Sequence, residues 1–349
     1  MTADSKPVEI EVNIGAGSVA EAVEAATRAE SHGAAQIGVW DSPAGVPDCW
    51  ATLGVLSQCV VTVPIGVAVT NPVTRHPVVT ARAVASLCEV ARGGVFLGMG
   101  TGDSGVYNLA QRAATLRELR EYVTCVRELL REGRARWHDA DLRLKRAPGI
   151  RVPVYLAAHG LKSLELAAET ADGIFIGLGY SEAVVREVLG VVRRGAERAN
   201  RDPDGIDLVW NAGAISINSE SDRAVADAGW LVASLSHHFT RFGKSSKLVP
   251  AEFQEGVSKL GELYDLSQHG HQPTTRRHEY IEAAMDLGVW DYLSDRFLIV
   301  GSEADVRARI ATLRSRGVRK FEIGLSVGGP DGVASVLDLV RRIDTSDRT

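Results

Sequence analysis

The chain has 349 residues, 45% of them apolar and 24% charged, with a formal net charge of −5. This balance fits a globular protein with a large core, and the negative sign gives no support to a nucleic-acid or acidic-membrane partner. No stretch approaches the roughly 20 consecutive apolar residues a membrane span needs, and Met1 to Pro7 carry no apolar signal segment, so the expectation is a cytoplasmic protein.

Val8–Ile14 alternates and predicts a first strand, and Ser18-Val19-Ala20-Glu21 has capping-box form ahead of a helix stopped by Gly33. Ala35–Trp40 reads as strand two, Cys49–Val60 as a helix, Ile65–Thr70 as strand three and Pro77–Val90 as the next helix. Strand four follows over Val95–Met99, and Leu116–Arg131 has helical apolar spacing. Arg134–Arg151 breaks the rhythm and reads as a hairpin or insertion. Strand five (Val152–Ala157) and strand six (Gly173–Gly177) lead into helices over Leu161–Thr170 and Ser181–Arg198. Strand seven is placed over Asp207–Ile217, with a helix over Ala224–Leu235. Residues 236–296 are too long for one loop. Helical patches at Phe253–Leu263 and Tyr280–Leu287 mark a mainly helical insertion. Ser302-Glu303-Ala304-Asp305 caps a helix ending at Gly317, Phe321–Ser326 is strand eight and Val333–Ile343 the closing helix.

Eight strands alternating with helices predict an α/β fold, a (β/α)8 barrel forming a single domain over residues 1–349 with the insertion after strand seven. The competitor is a doubly wound open sheet, but Gly15-Ala16-Gly17-Ser18 gives only part of its glycine fingerprint, with Ala20 at the third glycine position.

In a barrel of this kind the strand C-termini share one rim, where the active site is built. Four strand ends here carry small and polar residues: Val39-Trp40-Asp41, Val69-Thr70-Asn71-Pro72, Gly98-Met99-Gly100-Thr101-Gly102-Asp103 and Tyr155-Leu156-Ala157-Ala158-His159-Gly160. Asp41 is an acceptor for a ring or hydroxyl, or a simple turn cap. Arg75 and His76, just beyond strand three, are rim polar groups, or an ion-pair partner and a helix cap. Ala158-His159-Gly160-Leu161-Lys162-Ser163 opens a helix whose N–H groups suit a phosphate, and Gly177-Leu178-Gly179-Tyr180-Ser181 is a second such loop. On strand one, Glu9, Glu11 and Asn13 share the face opposite Val8, Ile10, Val12 and Ile14. Helices cover the outside of a barrel, so Glu11 is expected inside, as an acid or substrate contact. Trp40, Trp210 and Trp290 are either cavity walls or core. His237-His238, His269-Gly270-His271 and His278 lack the spacing of a metal motif and read instead as surface or substrate-pocket histidines, and the four cysteines form no CxxC pair; no metal is expected.

With these runs in view, the sequence resembles the bacterial-luciferase-like oxidoreductases, and within them the branch of the coenzyme F420-dependent methylenetetrahydromethanopterin reductases. The resemblance rests on Ala20–Gly33 followed by Val39-Trp40-Asp41, on Thr70-Asn71-Pro72-Val73-Thr74-Arg75-His76-Pro77, Gly98–Ser104, Leu166–Gly173, Tyr264-Asp265 with His269, and Phe297–Ser302. It implies a barrel, usually dimeric, that holds F420 or FMN at its rim, with a non-prolyl cis peptide expected near Ala68–Thr70. It further implies that Asp41, Thr70, Asn71, Gly100 and Gly102 line the ring and ribityl chain, that Ala158, His159, Gly160 and Gly177 hold the phosphate end, and that Glu11 or Asp103 steers or protonates substrate. The phosphate loop departs from both common patterns. It has His159-Gly160-Leu161-Lys162 where many F420 proteins have Gly-Pro-Lys, and only Ser163 where FMN proteins carry several hydroxyls. Three functions follow: an F420-dependent hydride-transferring oxidoreductase, an FMNH2-dependent monooxygenase using O2, or a non-catalytic flavin-binding protein. Either enzyme acts on a small molecule and draws reduced cofactor from a partner flavin or F420 reductase.

Overall fold

In the computed structural model, residues 7–146, 149–240, 247–265, 274–325 and 328–346 are described. Eight parallel strands close a barrel: β1 (Glu9–Ile14), β2 (Gln36–Val39), β3 (Ile65–Thr70), β4 (Val95–Met99), β7 (Val154–Ala158), β8 (Gly173–Ile176), β9 (Asp207–Asn211) and β12 (Lys320–Gly324). β1 pairs with β2 on one side and β12 on the other, which closes the ring. Two strands outside it, β5 (Arg134–Trp137) and β6 (Ala140–Arg143), form the expected antiparallel hairpin.

Helices α1 (Val19–Ser31), α2 (Cys49–Cys59), α3 (Pro77–Val90), α5 (Leu116–Glu132), α6 (Leu161–Thr170), α7 (Glu182–Arg198), α13 (Glu303–Ser315) and α14 (Gly329–Ser346) follow barrel strands or the insertion. A further turn, α4 (Ser104–Tyr107), precedes α5. Their starts are written locally. Ser18 accepts from Glu21 N, while the Glu21 carboxylate reaches back to Gly17 N and not to the cap residue itself. His76 caps α3 and Pro77 opens it. Thr115 and Glu118 form a full capping box on α5. The outward strand residues Ile10, Val12 and Ile14 join one large core with Ala22, Ala25, Ala26 and Ala29 of α1.

Strand seven differs from expectation. Asp207–Ile217 is two strands, because the chain leaves the barrel at Ala212-Gly213. Gly213 adopts φ +57°, a conformation that favours glycine, and a Cβ there would meet the Phe297 carbonyl oxygen at 2.8 Å. Beyond the bend, β10 (Ala214–Ile217) pairs in parallel with β11 (Leu298–Gly301), away from the barrel. Between these strands lie α8 (Ser221–Ala228), α9 (Leu231–Thr240), α10 (Gln254–Leu263), α11 (Thr274–Asp286) and α12 (Trp290–Phe297). The helix expected over Ala224–Leu235 is therefore two, parted at Gly229-Trp230. This insertion has its own core, in which Trp230, Phe239, Leu260, Leu293 and Phe297 are buried.

Candidate active site

The inside of the barrel is filled in two ways. Phe96, Tyr155 and Phe175 pack together, with Tyr155 stacked on Phe175 at 5.0 Å and edge-on to Phe96 at 5.6 Å. The Tyr155 hydroxyl donates to Asp207 at 2.7 Å, and Lys320 Nζ lies 2.6 Å from the same carboxylate and 3.2 Å from Gln36. Glu11 joins this network as the acceptor from Gln36 Nε2 and is fully buried. Burial, reinforced by the neighbouring Glu322, pushes its carboxyl well above the usual range. Gln36, Asp207 and Lys320 are each the first residue of a strand, so the network lies at the end of the barrel opposite the rim. Glu11 points inward as expected, but it stands too low to meet a rim ligand. The expected catalytic contact is therefore corrected to an interior structural role.

At the rim, a cavity of about 570 Å³ is lined by residues from the ends of β2, β3, β4 and β7 and from the insertion. Trp40 stands against Gly15, where a Cβ would come within 2.2 Å of the indole, and it forms one wall. Trp210 is fully buried and Trp290 packs on the insertion core, so neither lines this cavity. Asp41 accepts from Thr70 Oγ1 at 2.6 Å, and the Cys49 thiol is also bonded to it and pushed up by burial. Thr70 is itself fully buried, so it orients Asp41 instead of lining the cavity. Asn71 lines it, but Asn71 Oδ1 accepts from Val73 N, Thr74 N and Thr74 Oγ1 and so builds the turn after β3. The peptide between Ala68 and Val69 is cis, within the expected segment, and both residues face the cavity.

Small residues open this wall. A Cβ on Gly100 would lie 3.2 Å from Val69 Cγ2 and 3.4 Å from Ala157 Cβ. Gly102 has φ +99° and would drive a Cβ to 2.3 Å from Val106. Ala157 lines the cavity, while Ala158 is fully buried in the core shared with the helices. The place in the cavity wall expected for Ala158 is thus taken by its neighbour, since adjacent strand residues face opposite ways. Gly177 does not line the cavity. Its missing side chain makes room for the His159 ring, which a Cβ would meet at 2.3 Å.

The far end is cationic. Gly160 precedes α6 with no side-chain cap, and Lys162, Ser163, His159 and Lys247 line the cavity at this end, with His238 standing between His159 and Asp103. Gly160 is extended at φ −170°, so its conformation does not require glycine. His159 Nδ1 is buried with no hydrogen-bond partner among the described residues, and burial, with His238 and Lys247 nearby, holds its pKa well below the ordinary value. Lys247 is 2% exposed, donates to the His159 carbonyl and has its pKa pushed down to about 8 by burial. It is held by Arg296, fully buried on α12, which donates to the carbonyls of Leu178, Lys247 and Leu248 and to the Tyr292 hydroxyl. His238 Nδ1 lies 2.8 Å from Asp103 Oδ2, and its ring meets that of His159 at 4.4 Å.

Lys247 and Arg296 carry no signal in the sequence, and His238 is expected there only as a surface or substrate-pocket histidine, because the contacts to His159, Lys247 and Asp103 that fix them span 88, 49 and 135 residues of chain. Arg75 sits 3.7 Å from Asp48 and over Trp50, so it and His76 take their structural alternatives. Among the described residues, no group of three or more His, Cys, Asp or Glu is placed to hold a metal ion, and no helix is long and apolar enough to cross a membrane. His269 and His271 lie outside the described residues, as does the expected end of strand eight at Ser326.

Comparison with known proteins agrees with this architecture. The 5,10-methylenetetrahydromethanopterin reductase of Methanolobus tindarius is 26% identical over 302 residues, covering 80% of this chain and 83% of that protein. The F420-dependent glucose-6-phosphate dehydrogenase of Segniliparus rotundus is 31% identical over 211 residues, 54% of this chain and 62% of that one. The structure of the coenzyme F420-dependent tetrahydromethanopterin reductase from Methanopyrus kandleri superposes with a TM-score of 0.72 at 20% identity, over 99% of this chain and 100% of that one. The sequence profile of the luciferase-like monooxygenases matches residues 6–320. With its closed eight-stranded barrel and rim cavity, the chain belongs to the luciferase-like monooxygenase family and is a luciferase-like oxidoreductase.

Proposed function

We propose that the chain is a coenzyme F420-dependent oxidoreductase acting on a small organic substrate. One observation carries the reading: a single cavity joins a wall of small residues (Ala68, Val69, Gly100 and Ala157) to a cationic end at the uncapped start of α6. A flat ring with a phosphate-bearing side chain matches both halves. The relative named as an F420-dependent glucose-6-phosphate dehydrogenase supports the choice of deazaflavin. When bound, that group supplies a hydride donor or acceptor at C5 of its ring.

The chain's own residues do the rest. Gly100 and Ala157 leave room for a ring face, and Trp40 and Asp41 bound it with one apolar and one polar edge. Lys162, Lys247, His159 and the open N–H groups of α6 hold the anionic end. The insertion supplies His238 and Lys247, and so covers part of the cavity and limits water there. Loops carried on such a barrel set substrate choice.

The test is a fluorescence titration of the purified chain with oxidised F420 and, in parallel, FMN. Micromolar F420 binding with weak FMN binding is expected. Preferential FMN binding would refute the deazaflavin assignment and point to an oxygen-using monooxygenase; binding of neither would refute both.

A further inference from the structure

We infer that His238, presented by α9 and fixed by Asp103, is the proton-carrying group of the rim cavity. Its partner would then be a substrate whose reacting carbon is bonded to oxygen or nitrogen. The inference rests on the proposed function only for the source of the hydride.

The placement comes from three elements. Asp103 directly precedes α4 but does not cap it through its side chain; its carboxylate lies 2.8 Å from His238 Nδ1 instead. A carboxylate accepts and does not donate, so Nδ1 carries the hydrogen in this pair and Nε2 is the nitrogen that can take or give a proton. His238 and Asp103 both line the cavity. The adjacent His237 does not line it: its Nδ1 lies 3.0 Å from the Gly261 carbonyl, on the side facing α10. One step along a helix turns a side chain by about 100°, so one histidine ties the insertion together while the next faces the ligand.

Charge around the pair is mixed. The groups facing His238 are Asp103 from the end of β4, His159 from the end of β7, and Lys247 beyond α9, with Lys162 of α6 on the same cavity. His159 is held neutral by burial, so it does not compete for the proton.

The step balances. In reduction, a hydride from the reduced deazaflavin forms a C–H bond at the carbon of a C=O or C=N group as the π bond breaks. The electron pair moves to the heteroatom, which takes the proton from His238 Nε2. Oxidised deazaflavin, neutral imidazole and an alcohol or amine remain. Oxidation runs the same path backwards, with His238 as base. His238 is thus a catalytic residue and Asp103 a positioning residue.

Two measurements test this. In the ligand-free chain, a downfield imidazole N–H proton resonance is expected, lost in both His238→Gln and Asp103→Asn. Its absence from wild type, or survival in Asp103→Asn, overturns the pair whatever the cofactor proves to be. With reduced F420 and benzaldehyde as the acceptor, whose carbonyl carbon takes the hydride and whose oxygen takes the proton, His238→Gln should keep F420 affinity within about threefold and lose at least about 100-fold in kcat, with one limb of the pH profile gone. Added imidazole should restore part of the rate of His238→Ala. Full kcat in His238→Gln, or a loss confined to F420 affinity, would make His238 a binding residue and sink the proton role. Failure of the wild type to bind F420 would instead refute the proposed function, leaving the resonance to decide the pair.

Discussion

Lys247 gives the sharpest prediction, because one side chain sets stability against binding. It is 2% exposed, and its pKa is pushed from an ordinary 10.5 to about 8 by burial, partly offset by Asp103 and reinforced by Arg296. The gap from 10.5 to about 8 is worth about 3 kcal/mol, at roughly 1.4 kcal/mol per pH unit, as the cost of keeping this ammonium charged in the folded chain. Below pH 8 the lysine is charged in both states and the whole cost is present. Between pH 8 and 10.5 the unfolded chain binds the extra proton, so stability rises with pH. Lys247→Met removes this cost and forfeits the hydrogen bond to the His159 carbonyl, worth about 1 kcal/mol. The ligand-free variant should therefore be more stable than wild type by about 2 kcal/mol near pH 7, with the advantage gone near pH 10.5. Urea unfolding followed by tryptophan fluorescence at the two pH values reads both numbers. The same variant should bind F420 at least about tenfold more weakly, a loss of about 1.4 kcal/mol. A variant less stable than wild type at pH 7, or a difference that ignores pH, would refute the reasoning.

Other outcomes follow from the same geometry. Gly177→Ala puts a Cβ 2.3 Å from the His159 ring, which should displace that ring and weaken F420 binding while the circular dichroism spectrum stays native; unchanged affinity would remove His159 from the anion end. Lys320→Met removes the cation 2.6 Å from Asp207, but that carboxylate is 39% exposed and keeps the Tyr155 hydroxyl, so the loss in denaturant unfolding should be only about 1 kcal/mol; a loss above about 3 kcal/mol would show that the pair behaves as a buried one. Glu11 holds its proton more tightly folded than unfolded, because burial and Glu322 raise its pKa. Wild-type stability should accordingly fall as pH rises from about 4.5 through the folded pKa; Glu11→Gln should flatten that slope, and an identical slope in the variant would place the cause elsewhere.

Much of the barrel was legible because its signals are local. Caps, alternation and glycine-rich strand ends each span a few residues, and helices over Pro77–Val90 and Leu161–Thr170 match the reading to the residue. The site was legible in part for the same reason: Asp41, Asn71, Gly100, Gly102, Asp103, His159 and Gly160 all reach the cavity. What failed was depth and distance. Period-two alternation tells which face Glu11 takes but not its height along the barrel, and Ala157 and Ala158 differ only by that alternation. Strand seven read as continuous because Ala212-Gly213 interrupts no hydrophobic pattern. His238, Lys247 and Arg296 are set by partners far along the chain, which no short-range signal reveals.

The bend at Gly213 has a wider consequence. Because β10 and β11 lie side by side, the insertion leaves and re-enters through one narrow doorway, with its own core behind it. Lengthening or replacing such an excursion changes closure entropy only logarithmically, and the barrel register need not shift. The roof over the cavity is in effect an exchangeable cassette. Its histidine and lysine can be rewritten by evolution, or grafted by design, while the scaffold that carries the cavity's wall of small residues stays as it is.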